Sequence, residues 1–178
     1  MKNNLTEEIQ KYIMEILEPP REEFGGMPVC PFVKKDRVTG KLLIDVFDNT
    51  EENLLEKIQL FEKSEYTSAV FGQVFEKDLS TDEALEYQKY LNNLLNKSGL
   101  KHLKIICANP VDDLSVSGFN PRSAAPCFLI TVTGKKHLQD SHKKMLKSQY
   151  FINFEQKYLD YLHIKESQLK NKNKNKGV

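Results

Sequence analysis

The chain has 178 residues, 39% of them apolar and 29% charged, with a formal charge of +1, which is enough for one buried core and too short for two comfortable domains. Five of the 26 basic residues and one of the 25 acidic residues lie in 165–178. That leaves 21 against 24 and a body charge of about −3, which argues against a broad nucleic-acid-binding face.

From the N-terminus, Leu5, Ile9, Ile13, Ile16 and Leu17 form a helical stripe. The spacing predicts a helix over Thr6 to Leu17, stopped by Pro19 and Pro20, since proline cannot continue a helix. Asn3, Asn4 and this charged helix occupy the place where a secretory signal would be apolar, and no apolar run approaches the roughly 20 residues of a membrane span. A soluble, cytoplasmic protein with no membrane partner is expected. Arg21 to Arg37 reads as a structured loop with a helical turn after Pro31. Lys41 to Phe47 is β-compatible, and Asn49 with Glu52 offers a capping box for a helix carrying Leu54, Leu55, Ile58 and Phe61.

A second strand follows over Thr67 to Phe75. Ser80 and Glu83 form another capping box, before a helix through Leu85, Leu91, Leu94 and Leu95 that ends at Gly99. Lys104 to Ala108 and Cys127 to Thr133 read as strands, and a helix after Gly134 runs through Leu138, Met145 and Leu146. A last helix is expected from about Phe154 to Leu169, with Tyr150, Phe151, Phe154, Tyr158 and Tyr161 as an aromatic face. The fold class is therefore α+β: a mixed sheet of about four strands, ferredoxin-like in character, covered by helices and flanked by extra N- and C-terminal ones. One domain is expected over 1–164. The Lys/Asn-rich stretch 165–178 has little to bury and reads as a disordered tail.

Chemistry concentrates in two proline-bracketed segments, Met27-Pro28-Val29-Cys30-Pro31-Phe32 and Asn120-Pro121-Arg122-Ser123-Ala124-Ala125-Pro126-Cys127. Cys30, opening a helical turn near Lys34 and Lys35, has two readings: a nucleophilic thiolate favoured by free backbone N–H groups, or a buried structural thiol beside Val29 and Phe32. Arg122, Ser123 and Asn120 combine donors suited to a carboxylate or phosphate, with Lys34 as a further cation. The competing reading makes Arg122 a loop brace paired with Asp112 or Asp113.

Cys30, Cys107 and Cys127 are three, without close spacing, so free thiols in a reducing compartment are expected. No Cys-x-x-Cys and no histidine at ligand spacing supports a metal. His142 reads as a partly buried helix histidine. Phosphate-loop, nucleophile-elbow and zinc-protease motifs do not occur, and no cofactor is indicated.

Cys30-Pro31-Phe32 with Lys34, the strand-helix-strand stretch, Cys107-Ala108-Asn109-Pro110 and the Asn120 to Pro126 segment resemble, in that order, the uncharacterised bacterial family called domain of unknown function 1415. The resemblance spans about Val29 to Ile130. It implies that Cys30, Arg122 and Ser123 belong to one site, and it brings no activity with it. Pro121 interrupts the family's Asn-Arg-Ser run, and Asn109 stands where the family has histidine. Two functions compete on this reading. One is binding of a small anionic metabolite between the Cys30 and Arg122 loops, with Cys30 as nucleophile or polar anchor. The other is a non-enzymatic interaction module that docks a partner or second copy through the C-terminal aromatic helix.

Overall fold

The computed structural model describes residues 2–169. Helix α1 (Lys2–Tyr12) runs on as a π-helical turn over Ile13–Leu17, and Glu18 N–H closes it on Ile13 O at 3.0 Å just before Pro19. The loop that follows is more ordered than the sequence implies. It holds a two-residue antiparallel pair, β1 (Pro20–Arg21) with β2 (Met27–Pro28), and the turn after Pro31 is a short helix, α2 (Val33–Val38).

Strand β3 (Leu42–Val46), α3 (Glu51–Glu62), β4 (Ser68–Gln73), α4 (Thr81–Lys97), β5 (Leu103–Ala108), β6 (Phe128–Gly134) and α5 (Lys135–Lys147) then follow the expected order. Ser80 and Glu83 make the reciprocal capping box. At α3 the cap is Thr50, whose Oγ1 accepts from Asn53 N–H, and not Asn49. The Asn49 amide instead donates to Val74 O at 2.7 Å, a tie to the neighbouring strand's exit that local sequence does not reveal.

The sheet order is β3-β4-β6-β5, with β3 parallel to β4 and both other pairs antiparallel. β4, α4 and β5 form a split β-α-β unit with β6 inserted, the ferredoxin-like half of the sheet. β3 adds a parallel edge. Alternation along the strands sends Ala69, Phe71, Ile105, Cys107, Ile130 and Val132 to the α3–α4 face, where they pack with Leu54, Ile58, Leu91 and Leu95. The opposite face receives α1 and α5. Gly72 lets α1 approach, because a Cβ there would lie 2.7 Å from Ile9 Cδ1 and 3.1 Å from Cys127 Sγ.

The C-terminal region departs most from expectation. Only Gln156–Tyr161 is helical (α6); the chain then takes a left-handed residue at His163 (φ 56°) and a 3-10 turn at Glu166–Gln168. Tyr150, Phe151, Phe154 and Tyr158 are each 8% exposed or less, and build a second core with Phe24, Leu114 and Val116. Phe24 packs against Tyr150 and Phe154, and Phe154 against Phe151 and Tyr158, a cluster that the bent path from Tyr150 to Tyr158 assembles. Leu169 is buried in the same cluster, and the rest of the expected tail, 170–178, lies outside the described residues. Among the described residues no helix is long and apolar enough to cross a membrane.

Candidate functional site

Cys30 sits between two prolines, and its N–H donates to Leu17 O at 3.0 Å, which fastens the segment to the end of the α1 helix. A bidentate pair strengthens the same joint: Arg37 Nε and Nη2 donate to the Glu18 carboxylate at 2.5 and 2.9 Å, with Glu18 buried. Burial raises the Cys30 thiol's pKa. The N–H groups of Phe32 and Val33 aim at the sulfur and oppose that rise, while Asp36 and Glu18 add to it. The thiol is therefore held protonated, which disfavours the activated-nucleophile reading. Lys34 is exposed on α2.

The second segment is organised around Asp112, which is 4% exposed. Arg122 Nη1 donates to Asp112 Oδ2 at 3.0 Å, Asn109 Nδ2 to Oδ1 at 3.2 Å, and Asn120 Nδ2 to the Asp112 backbone carbonyl at 2.6 Å. Asn120 Oδ1 accepts from Arg122 N–H, and Ser123 Oγ donates to Asn120 O in a local turn. Asn109 also donates to Leu79 O at 2.9 Å. Arg122 thus lies against Asp112 with its side chain 14% exposed, Asn120 is spent on the loop, and Ser123 is exposed.

Two tyrosines tie each segment to another part of the chain. Tyr12 on α1 donates its hydroxyl to Pro121 O at 2.7 Å, and Tyr150 donates to Val29 O at 2.5 Å. Both phenols are driven well above their ordinary pKa, first by burial. The Arg122 guanidinium acts in the opposite direction on both, favouring the phenolate. Tyr158 and Tyr161 complete the arginine's surroundings, Tyr161 with its ring centroid 5.7 Å from the guanidinium carbon.

A further polar group lies on the same face of the sheet. Asp36, 7% exposed, accepts from Ser68 Oγ at 3.0 Å, and Ser68 lies 3.5 Å from Thr133 Oγ1. His137 on α5 brings Nε2 to 3.9 Å from Asp36 and its ring edge-on to Phe32. Sequence reasoning missed that Asp36, Tyr12 and Tyr150 bear on Cys30, and that Ser68 and His137 gather at Asp36. These groups come from elements far apart in the chain, so their proximity is legible only once the strand order is known.

The three cysteines do not converge. Cys107 packs on the α3–α4 face, and Cys30 and Cys127 on the other. Burial pushes the thiols of Cys107 and Cys127 up to about 12 and about 11. Among the described residues no cluster of three or more His, Cys, Asp or Glu side chains is placed to hold a metal ion. A cleft of about 350 Å³ opens elsewhere, at the carboxyl ends of β3 and β4, lined by residues such as Leu5, Glu8, Phe47 and Asn49. Comparison with protein-family models, curated proteins and solved structures found no match.

Proposed function

We propose that the chain binds a small anionic molecule at the junction of its two proline-bracketed segments, with Arg122 as the anion contact and Cys30 as a neutral polar wall. The observation that supports this reading is that both segments are anchored to the first helix and its π-helical extension, Cys30 N–H donating to Leu17 O and the Tyr12 hydroxyl donating to Pro121 O. Asp112 and Tyr161 engage part of a five-donor group whose side chain keeps 14% exposure. Covalent chemistry at Cys30 is not part of the proposal, because burial keeps the thiol protonated. The three free thiols favour a reducing, cytoplasmic setting.

A second reading, in which Arg122 only braces the loop, is favoured by the engagement of both Asp112 carboxylate oxygens. Thermal unfolding in rising inorganic phosphate, and separately succinate, at constant ionic strength separates the two. The wild-type Tm should rise with at least one of these anions, and Arg122→Gln should lose the rise while unfolding cooperatively. A Tm indifferent to both anions, or a rise that survives in Arg122→Gln, leaves the brace as the answer.

A further inference from the structure

The sheet has two edges, and they are finished differently. At β5 the outward backbone groups are taken up by α4: Asn92 Oδ1 accepts from Ile105 N–H, Asn92 Nδ2 donates to Ile105 O, and Gln88 Oε1 accepts from Cys107 N–H, all within 3.0 Å. These side chains occupy the positions another strand would need, a protection of the edge against pairing.

At β3 no such cover is present among the described residues. Lys41 O accepts from Thr67 and Ser68, and Phe47 N–H donates to Gly72 O, so these two residues face β4. Alternation then turns Leu43 and Asp45 inward, and Leu42, Ile44 and Val46 outward. Val46 N–H is closed by the neighbouring Asp45 carboxylate. The N–H and C=O groups of Leu42 and Ile44 have no hydrogen-bond partner among the described residues.

We propose that β3 pairs antiparallel with β3 of a second copy, across a two-fold axis at Leu43, to make a continuous eight-stranded sheet, twice the four strands of one copy. Charge complementarity selects both this occupant and this register. Outward residues must meet outward residues. Placing Leu42 opposite the partner's Ile44 sets Leu43 against the partner's Leu43, and Lys41 against the partner's Asp45, twice by symmetry. Shifting by one step in either direction sets Leu43 opposite Asp45 or Lys41 opposite Leu43, and forfeits the ion pairs.

The chosen register forms about four ladder hydrogen bonds from the open groups of Leu42 and Ile44. Both charges are partly exposed. Among the described residues Lys41 pairs with Glu65 at 3.8 Å, a carboxylate 97% exposed, and Asp45, which already takes Lys57 and Val46 N–H, keeps a side chain 42% exposed to which a second cation has access. The interface is distinct from the aromatic C-terminal surface, which is consumed by the second core.

Sedimentation equilibrium over a wide concentration range should show a monomer–dimer equilibrium. Lys41→Glu, an exposed change that replaces two attractions with two repulsions, should raise the dimer Kd by roughly tenfold, and Lys41→Arg should leave it nearly unchanged. Leu43→Cys should form a disulfide-linked dimer on mild oxidation where the wild type does not, because opposed residues of a non-hydrogen-bonded pair bring their Cα atoms to about 4.5 Å. A wild type monomeric at every concentration overturns the proposal. So does a dimer indifferent to Lys41→Glu, or one in which Leu43→Cys fails to cross-link.

Discussion

On the α3–α4 side of the sheet, Leu54, Ile58, Leu91, Leu95, Ile105 and Ile130 pack as an aliphatic layer, each 2% exposed or less. On the opposite side and around the C-terminal rings, the buried set includes Glu18, Asp36, Ser68, Thr133, Tyr12, Tyr150 and Tyr158. The first region is stabilised by apolar burial and is insensitive to direction. In the second, every buried polar group needs a partner at a set distance, so its geometry is specified more tightly than its stability requires. That contrast is why the candidate site is placed there, and why the two regions should respond differently when disturbed.

The largest expected effect is alkaline. Cys30, Tyr12, Tyr150 and Tyr158 in the polar region, together with Cys127 and Cys107, all hold their protons more tightly when folded, primarily through burial. Their contribution is complete below the unfolded values, 9.0 for thiols and 10.0 for phenols, and is lost as pH rises toward the folded ones, about 11 for Cys127 and about 12 for Cys107. Urea midpoints measured at stepped pH should therefore fall steadily above about pH 9; a flat profile up to pH 11 contradicts the burial of these groups.

Next in size is a cavity on the aliphatic side. Leu91→Ala should cost about 3 kcal/mol by urea denaturation while leaving any response to phosphate intact. Loss of that response would mean that the two regions are not independent.

Asp112→Ala removes the acidic partner of a largely buried Arg122, and should cost about 2–3 kcal/mol after allowance for the arginine's residual exposure. If it also alters the phosphate response, the Asp112–Arg122 pair is part of the site as well as of the brace. The smallest effect belongs to Tyr150→Phe, about 1 kcal/mol for one hydrogen bond. That change would sharpen the comparison further, because it loosens the Cys30 segment without touching Arg122.

Elements whose signals are local were legible from residue order. The capping box at Ser80 and Glu83, the stop at Pro19-Pro20 and the alternating helix and strand pattern all act within a few residues of themselves. The shift of the α3 cap to Thr50 was not legible, since it depends on Val74 drawing Asn49 away from a helix only two residues on. Nor was the broken C-terminal helix: the spacing of Phe154, Tyr158 and Tyr161 fits a helix, yet the rings had to surround Phe24 from a loop more than a hundred residues earlier.

At the site, the sequence by itself determined that the thiol and the guanidinium stand on proline-stiffened backbone, because proline acts on its own dihedral angle and its immediate neighbour. Only the tertiary structure decided what those groups are. The Asp112 pair, the burial that keeps Cys30 protonated, the two tyrosine bonds and the open β3 edge all depend on strand order and on contacts between residues distant in the chain. A side chain's charge state and partners are properties of its surroundings, and those exist only after the chain has folded.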